Sequence, residues 1–376
     1  MYMKRILFHS ILVLFSACVW GTDYSKADKQ ALSVPPNLKT ANEITRYLTR
    51  NLSSPTDKAR VIYYWIAHNI RYDVTKMYKN ETYTDPQELV DNALKYRKGI
   101  CSNYAALFQA CCKTVGVQSY IIEGYTRQNN KTILIGHAWN AVKINNRFYD
   151  VDATWAAGSL KGNKYIPAFR DEFFMIPPEE FIKSHMPFDP IWQFSTNPIT
   201  PKEFEKGDFS KINRASNFNY YDSIKVYSTL STWDKLMHEN ERVMKSGITN
   251  ALIRNHVENN QRGIATEGYN KAALTFNQAV EKYNQYIAFK NSQFKNLTMK
   301  DADILGLLSS SRHSIEQSEQ ALSYIKSDNF NLFQMSISLE KSIKNLKRNL
   351  EEEDKFATKY VKTLKPLRIF LFYKKT

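Results

Sequence analysis

The chain has 376 residues, 43% of them hydrophobic and 24% charged, which is length for two or three domains and ample apolar material for a core. That composition excludes a disordered protein, and beyond the extreme N-terminus no apolar run is long enough to cross a bilayer. The net charge is +15, but the positive residues are spread along the chain without an Arg-rich block, which argues against nucleic acid and leaves anionic envelope polymer or a membrane surface as partners for a basic surface.

The start, MYMKRILFHSILVLFSACVWG, places Lys4 and Arg5 before an apolar stretch from Ile6 and small residues at Ser16, Ala17 and Gly21. This order reads as a secretory signal peptide over residues 1–21, so the expected location is periplasmic, cell-surface or secreted. Cleavage after Gly21 leaves a soluble protein, whereas cleavage before Cys18 leaves a lipidated cysteine; both remain open. Of Cys18, Cys101, Cys111 and Cys112, three survive removal of the leader, so at least one thiol stays unpaired in a compartment that oxidises thiols.

Residues 22–54 read as a linker, polar from Thr22 to about Pro36, and an N-terminal helix. In TDKARVIYYWIAHNIRYD, Ala59, Tyr63, Ile66 and Ile70 recur at steps of four, three and four, one face of a helix that Thr56 or Asp57 would cap. A helix is expected near Glu88–Tyr96, then a break at Gly99 and a second helix that starts at Cys101 and ends before Gly116. QSYIIEGYTR reads as a strand, and a hairpin follows the polar QNNK. Between Ser195 and Asn219, with Pro198, Pro201 and Gly207, the chain turns loop-like, and a domain boundary is placed there. Beyond it Tyr269, Ala272, Phe276, Val280, Tyr283 and Ile287, and then Leu332, Met335, Leu339, Ile343, Leu346 and Leu350, mark amphipathic helices. No second copy at a fixed period supports a repeat array. The tail RIFLFYKKT, apolar then basic, either packs on the helices or touches a membrane surface.

The hairpin GHAWNAVKINNRFYDVDATW carries the chemistry. Asn145 and Asn146 suit a two-residue turn because asparagine tolerates positive φ. Ile144 then faces Arg147, Trp139 faces Asp152 and His137 faces Thr154. His137, Trp139, Ala141, Asp150, Asp152 and Thr154 share one side; Ala138, Val142, Ile144, Tyr149 and Val151 form an apolar face with Asn140 as its exception. This register favours Asp152 over Asp150 as the carboxylate that orients His137. A histidine so oriented holds a nearby thiol as thiolate, and Cys101 at a helix N-terminus gains from the macrodipole, settings that lower a thiol pKa from ~8.5 into the range ~3.5 to 7.5. Together Cys101, His137 and Asp152 make an acyl-transfer triad. Cys111 and Cys112 read as core residues, His68 as satisfied locally, and His185 as a structural residue of a Pro-flanked turn in preference to a cleft residue. No HExxH, CxxC pair or phosphate-binding glycine loop is present, so no metal and no cofactor are expected.

YRKGICSNYAALF, GHAWNAV and YDVDATWAAG resemble the three blocks of the transglutaminase-like superfamily, whose fold is related to papain-like cysteine proteases. FFMIPPEEFIKSHMPFDPIWQ, Phe173–Gln193, is similar to the segment that follows the triad in bacterial kyphoscoliosis-peptidase-like members. The resemblance covers about Pro55 to Gln193 and implies an α+β fold. Helices bearing the cysteine pack on an antiparallel sheet bearing histidine and aspartate, and an all-α bundle or long helical hairpin follows. The implied division is 55–200 for the catalytic domain and 201–376 for the helical domain. Cys101, His137 and Asp152 match the family's catalytic residues; Trp139, Trp65, Tyr96 and Gln87 are candidates for substrate binding or the oxyanion hole beside the Cys101 backbone N–H. Ser102 stands where animal crosslinking enzymes have tryptophan, and no acidic loop resembles a calcium site. The expected function is an exported cysteine peptidase or transglutaminase-like acyltransferase acting on amide bonds of peptides or proteins. The alternative is a catalytically silent fold that binds an envelope partner through its helical domain.

Overall fold

The computed structural model describes residues 23–77, 85–212, 214, 218–295, 300–325 and 329–373, so the stretch read as a signal peptide, Cys18 included, lies outside the described residues. The chain forms two compact units. One joins the residues up to Ile121 to Trp139–Ile176; the other joins Ile122–Ala138 to the chain from Pro177 onward. No helix among the described residues is long and apolar enough to cross a membrane.

The first unit opens with α1 (Ser25–Ala31), α2 (Ala41–Thr49) and α3 (Pro55–Asn69). The stretch read as linker is therefore partly helical. Ala27 and Ala31 are buried, and Asp28 accepts two hydrogen bonds from the Arg60 guanidinium of α3, at 2.7 and 2.8 Å. Arg60 is itself buried among the rings of Tyr24, Tyr63, Tyr64, Phe169 and Phe174, and it also reaches Asp171. Burial disfavours its charge, but the two carboxylates outweigh that and hold it protonated. Ser54, not Thr56 or Asp57, caps α3 by accepting the Asp57 N–H, which leaves Pro55 at the first helical position, where its missing N–H costs nothing. The expected stripe of Ala59, Tyr63, Ile66 and Ile70 is buried.

Two-residue strands β1 (Arg71–Tyr72) and β2 (Lys98–Gly99) pair in parallel on either side of α4 (Pro86–Tyr96). Next comes α5 (Cys101–Thr114), buried along most of its circumference at Tyr104–Phe108, Cys111 and Cys112. It packs against α2, α3, α4 and α6 (Ala153–Ala157), the central position that apolar residues all round a helix demand. Strands β3 (Ser119–Gln128), β4 (Lys131–Ile144) and β5 (Arg147–Val151) follow, and the small hairpin β6 (Gly158–Lys161) and β7 (Lys164–Pro167) completes this part of the chain. Asn129–Asn130 and Asn145–Asn146 have positive φ, as two-residue hairpin turns need.

In the second unit, α7 (Pro178–Phe181) leads into β8 (His185–Pro187), which pairs antiparallel with β3. The four strands of the main sheet run in the order β5–β4–β3–β8. Helices α8 (Pro201–Lys206), α9 (Tyr220–Thr229), α10 (Thr232–Ser246), α11 (Ala251–Asn291), α12 (Asp301–Ser323) and α13 (Phe330–Lys362) follow, then a 3-10 helix over Lys365–Phe372. Tyr125 of β3 and Met186 of β8 share one core with Ile182, Ile199, Phe204, Val243, Ile253 and Val257. Ile199 and Phe204, buried apolar residues in the polar stretch read as a boundary, thus anchor it. Arg242 of α10 adds a two-pronged ion pair to buried Asp189, at 2.8 and 2.6 Å.

Helices α11–α13 build a second core of their own. On α11 its centre is Ala272, Ala279 and Tyr286, seven residues apart, while Tyr269, Phe276, Val280, Tyr283 and Ile287 are only partly buried. Facing them on α12, Ser311 and Ser318 donate to the carbonyls of Ala279 and Ala272, both at 2.7 Å, so the two helices run antiparallel and close together. On α13 the buried row begins at Ser336, whereas Met335 is exposed.

Candidate functional site

Three polar anchors fix the first turns of α5, the helix that begins with Cys101. Asn103 Oδ1 accepts the Ile100 N–H at 2.9 Å, and its amide donates to Leu89 O of α4 at 3.0 Å. Tyr104 donates to Ile70 O at the end of α3 at 2.6 Å. Asn140 of β4 donates to Ala105 O at 3.0 Å and Tyr120 O at 3.3 Å. The chain enters the helix through Gly99 because a Cβ there would lie 2.6 Å from Asn103 Cβ, a clash with a buried side chain. The break spans Arg97–Ile100, starting with Arg97 in the left-handed region.

Ile100, the N-cap, has no side-chain acceptor for the amides of the first turn. Cys101 is half-buried, while Cys111 and Cys112 are sealed in the core. Burial pushes the Cys111 thiol up to about 12, and burial with the neighbouring Cys111 pushes Cys112 well up. These two are inert thiols at neutral pH.

The hairpin has the expected register, from Ile144↔Arg147 to Asn140↔Val151. It ends one residue short of Asp152, however, because Asp152 leaves the strand to cap α6. Its Oδ1 accepts the N–H of Thr154 at 2.8 Å and of Trp155 at 3.0 Å, and its own N–H donates to Phe173 O at 3.0 Å. Trp139↔Asp152 is thus not a ladder pair, and Thr154, expected opposite His137, is in α6. Asp152 is fully buried, and α6 packs on α5 within the first unit. Asp150 has another role: its Oδ1 accepts the Trp139 indole N–H at 3.2 Å.

His137 belongs to the second unit, where its ring lies 5.6 Å from that of His185. His185 is buried, stacks on Phe181 at 3.8 Å, and has Nδ1 2.8 Å from Ser184 Oγ. It therefore sits on strand β8 beside His137, not in a turn. His68 stacks on Tyr64 and bonds its carbonyl at 2.8 Å, a local satisfaction.

Trp65 is buried on α3 beneath the Arg97 guanidinium. Gln87 donates to Asp91 on the exposed side of α4, and Tyr96 is exposed at that helix's end. Asn103 and Asn140 are the positioning residues the sequence reading did not assign. The available signal was a polar residue three positions after a helix N-cap for Asn103 and a lone amide on an apolar strand face for Asn140.

Residues 42–153 match the family model of the transglutaminase-like superfamily, and the span holds Cys101, His137 and Asp152. This part of the chain is a transglutaminase-like core. The chain is similar to kyphoscoliosis peptidase of Mus musculus, 30% identical over 179 residues, or 45% of this chain and 26% of that protein. The Homo sapiens kyphoscoliosis peptidase is 28% identical over 179 residues, with the same coverage. Hillarin of Drosophila melanogaster is 26% identical over 210 residues, 50% of this chain and 25% of that protein. The chain thus covers about a quarter of each of these relatives.

Proposed function

We propose that the protein is an exported cysteine acyl-transfer enzyme acting on amide bonds of peptides or proteins. The observation that carries this reading is the placement of Cys101: the half-buried thiol heads a helix held by three buried polar anchors, and no N-cap side chain occupies its first-turn amides. In this reading His137 takes the Cys101 proton, and Asp152 is the carboxylate that orients the imidazole. The thiolate attacks the amide carbon; as the C–N bond breaks, the imidazolium gives its proton to the departing amine, leaving a thioester on Cys101. Water attacking the thioester makes the reaction a peptidase or amidase step, and an amine makes it a transglutaminase step. The Cys101 N–H donates to the oxyanion. The similarity to kyphoscoliosis peptidase supports the hydrolytic branch.

The test is iodoacetamide alkylation across acid to mildly alkaline pH, followed peptide by peptide with mass spectrometry, in the wild type and in His137→Ala. Cys111 and Cys112 serve as sealed controls. Fast labelling of Cys101 at acid pH, slowed in the variant, is expected. Labelling at the rate of an ordinary thiol, indifferent to His137, would sink the reading and favour a silent fold used for binding.

A further inference from the structure

The 3-10 helix over Lys365–Phe372 repeats every three residues, so side chains three apart stack along one edge. Leu364, Leu367, Phe370 and Tyr373 occupy such an edge and are 73, 50, 63 and 68% exposed. The segment is nevertheless firmly held. Leu371 and Phe372 pack on the α11–α13 core, and Arg368 binds both Asp301 oxygens at 2.6 Å and the carbonyls of Thr363 and Val361 at 2.9 Å. A fixed segment that turns four large apolar groups outward is a surface, not a frayed end.

Basic charge adjoins it. Lys355, Lys359 and Lys362 are exposed at steps of four and three along α13 and line one shallow groove with Thr358 and Thr363, the residue before the ridge. The acidic member of that groove, Asp354, is engaged by Arg312. Among the described residues, the stripe therefore presents net positive charge next to apolar side chains.

We propose that this ridge and lysine stripe dock the protein on an anionic lipid surface. Leucine and phenylalanine enter the boundary between headgroups and acyl chains, Tyr373 keeps its hydroxyl at headgroup level, and the lysines meet lipid phosphates. A second copy would bring the same positive stripe against itself, and a soluble polyanion would leave the ridge in water. A bilayer with anionic headgroups answers both features.

The test uses the full chain with vesicles of phosphatidylcholine alone or with phosphatidylglycerol, read by co-sedimentation and by hydroxyl-radical footprinting. Oxidation of Leu364, Leu367, Phe370 and Tyr373 is expected to fall several-fold on the anionic vesicles only. Replacing all three lysines, Lys355→Gln, Lys359→Gln and Lys362→Gln, is expected to weaken vesicle affinity roughly 100-fold, about fivefold per charge. In Leu364→Ser/Leu367→Ser/Phe370→Ser, Tyr373 should lose its protection; the wild-type footprint needs no variant to fold. The proposal is overturned if the chain does not sediment with anionic vesicles, or sediments while the ridge oxidises as in solution. It is equally overturned if binding needs the lysines but not the ridge, or if protection appears without lipid and grows with protein concentration, which would assign the ridge to a second copy.

Discussion

The surroundings of α5 and the α11–α13 bundle are both well packed, but they specify structure by different means. Around α5, buried polar groups with one geometric solution set the positions: Asn103 to α4, Tyr104 to α3, Asn140 to the second turn of α5, Arg60 to α1. In the bundle, the small side chains of Ala272 and Ala279 set how near two helices come, and the serine hydroxyls only bridge backbone already hydrogen-bonded in its own helix. A polar anchor fails when its partner is lost, because a buried donor or charge is left uncompensated. A small-residue seam fails when volume is added.

The sharpest break of that comparison is a pair of aspartates. Asp28→Ala leaves Arg60 buried with only the more exposed Asp171 to balance it, and a loss of about 3 kcal/mol is expected. Asp301→Ala removes an equally well-formed two-pronged pair with Arg368, but that aspartate is more than a third exposed, so screening limits the loss to under about 1 kcal/mol. Urea unfolding of the two variants measures the difference, and equal losses would mean that burial does not set the worth of these pairs.

Next comes the seam. Ala279→Leu adds hydrophobicity to a helix and would be called favourable from composition. Ala279 is fully buried where α11 meets α12, so the added volume is expected to cost about 2 kcal/mol by forcing the helices apart. Leu274→Ala, on the exposed side of the same helix, should shift stability by less than about 0.5 kcal/mol. Thermal unfolding decides, and a neutral Ala279→Leu would mean that the seam is loosely packed.

What the sequence made legible follows the same line. Local chemistry was readable: Asn145–Asn146 set the hairpin register, and the helix starting at Cys101 began where expected. The strand's end was misjudged because Asp152 satisfies two patterns, alternation along β5 and an N-cap ahead of an alanine-rich run, and the helix amides won. Helix α1 was missed because what holds it is Arg60, 32 positions away. The α11 row differs from the expected one because large apolar residues dominate the sequence pattern, whereas close helix approach buries the alanines between them. The positions of Cys101 and Asp152 on packed helices of one unit were not derivable from spacing, since tertiary contact decides them.

A third region, where α11 begins, mixes the two means and gives the smallest effect. His256 stacks on Phe188 within the second unit, with Nε2 2.6 Å from Glu239 and Nδ1 3.8 Å from Glu123. Burial disfavours its charged form, but the hydrogen bond and charge of Glu239, with Glu123 and Asp189 behind it, outweigh burial and raise its pKa. Below ~6.5, the value of a free imidazole, folded and unfolded chains both carry the proton and the stabilisation is fully present. As pH rises through the raised folded value, the proton leaves and the stabilisation goes with it. A neutral imidazole still donates one hydrogen bond to Glu239, so only the charge-assisted part is lost, about 1 kcal/mol. His256→Gln, which can keep a hydrogen bond but not a charge, should flatten unfolding stability between pH 6 and 8 relative to wild type. If the two profiles stay parallel, Glu239 and His256 act through packing and neutral hydrogen bonding, and the charge of His256 adds nothing to stability.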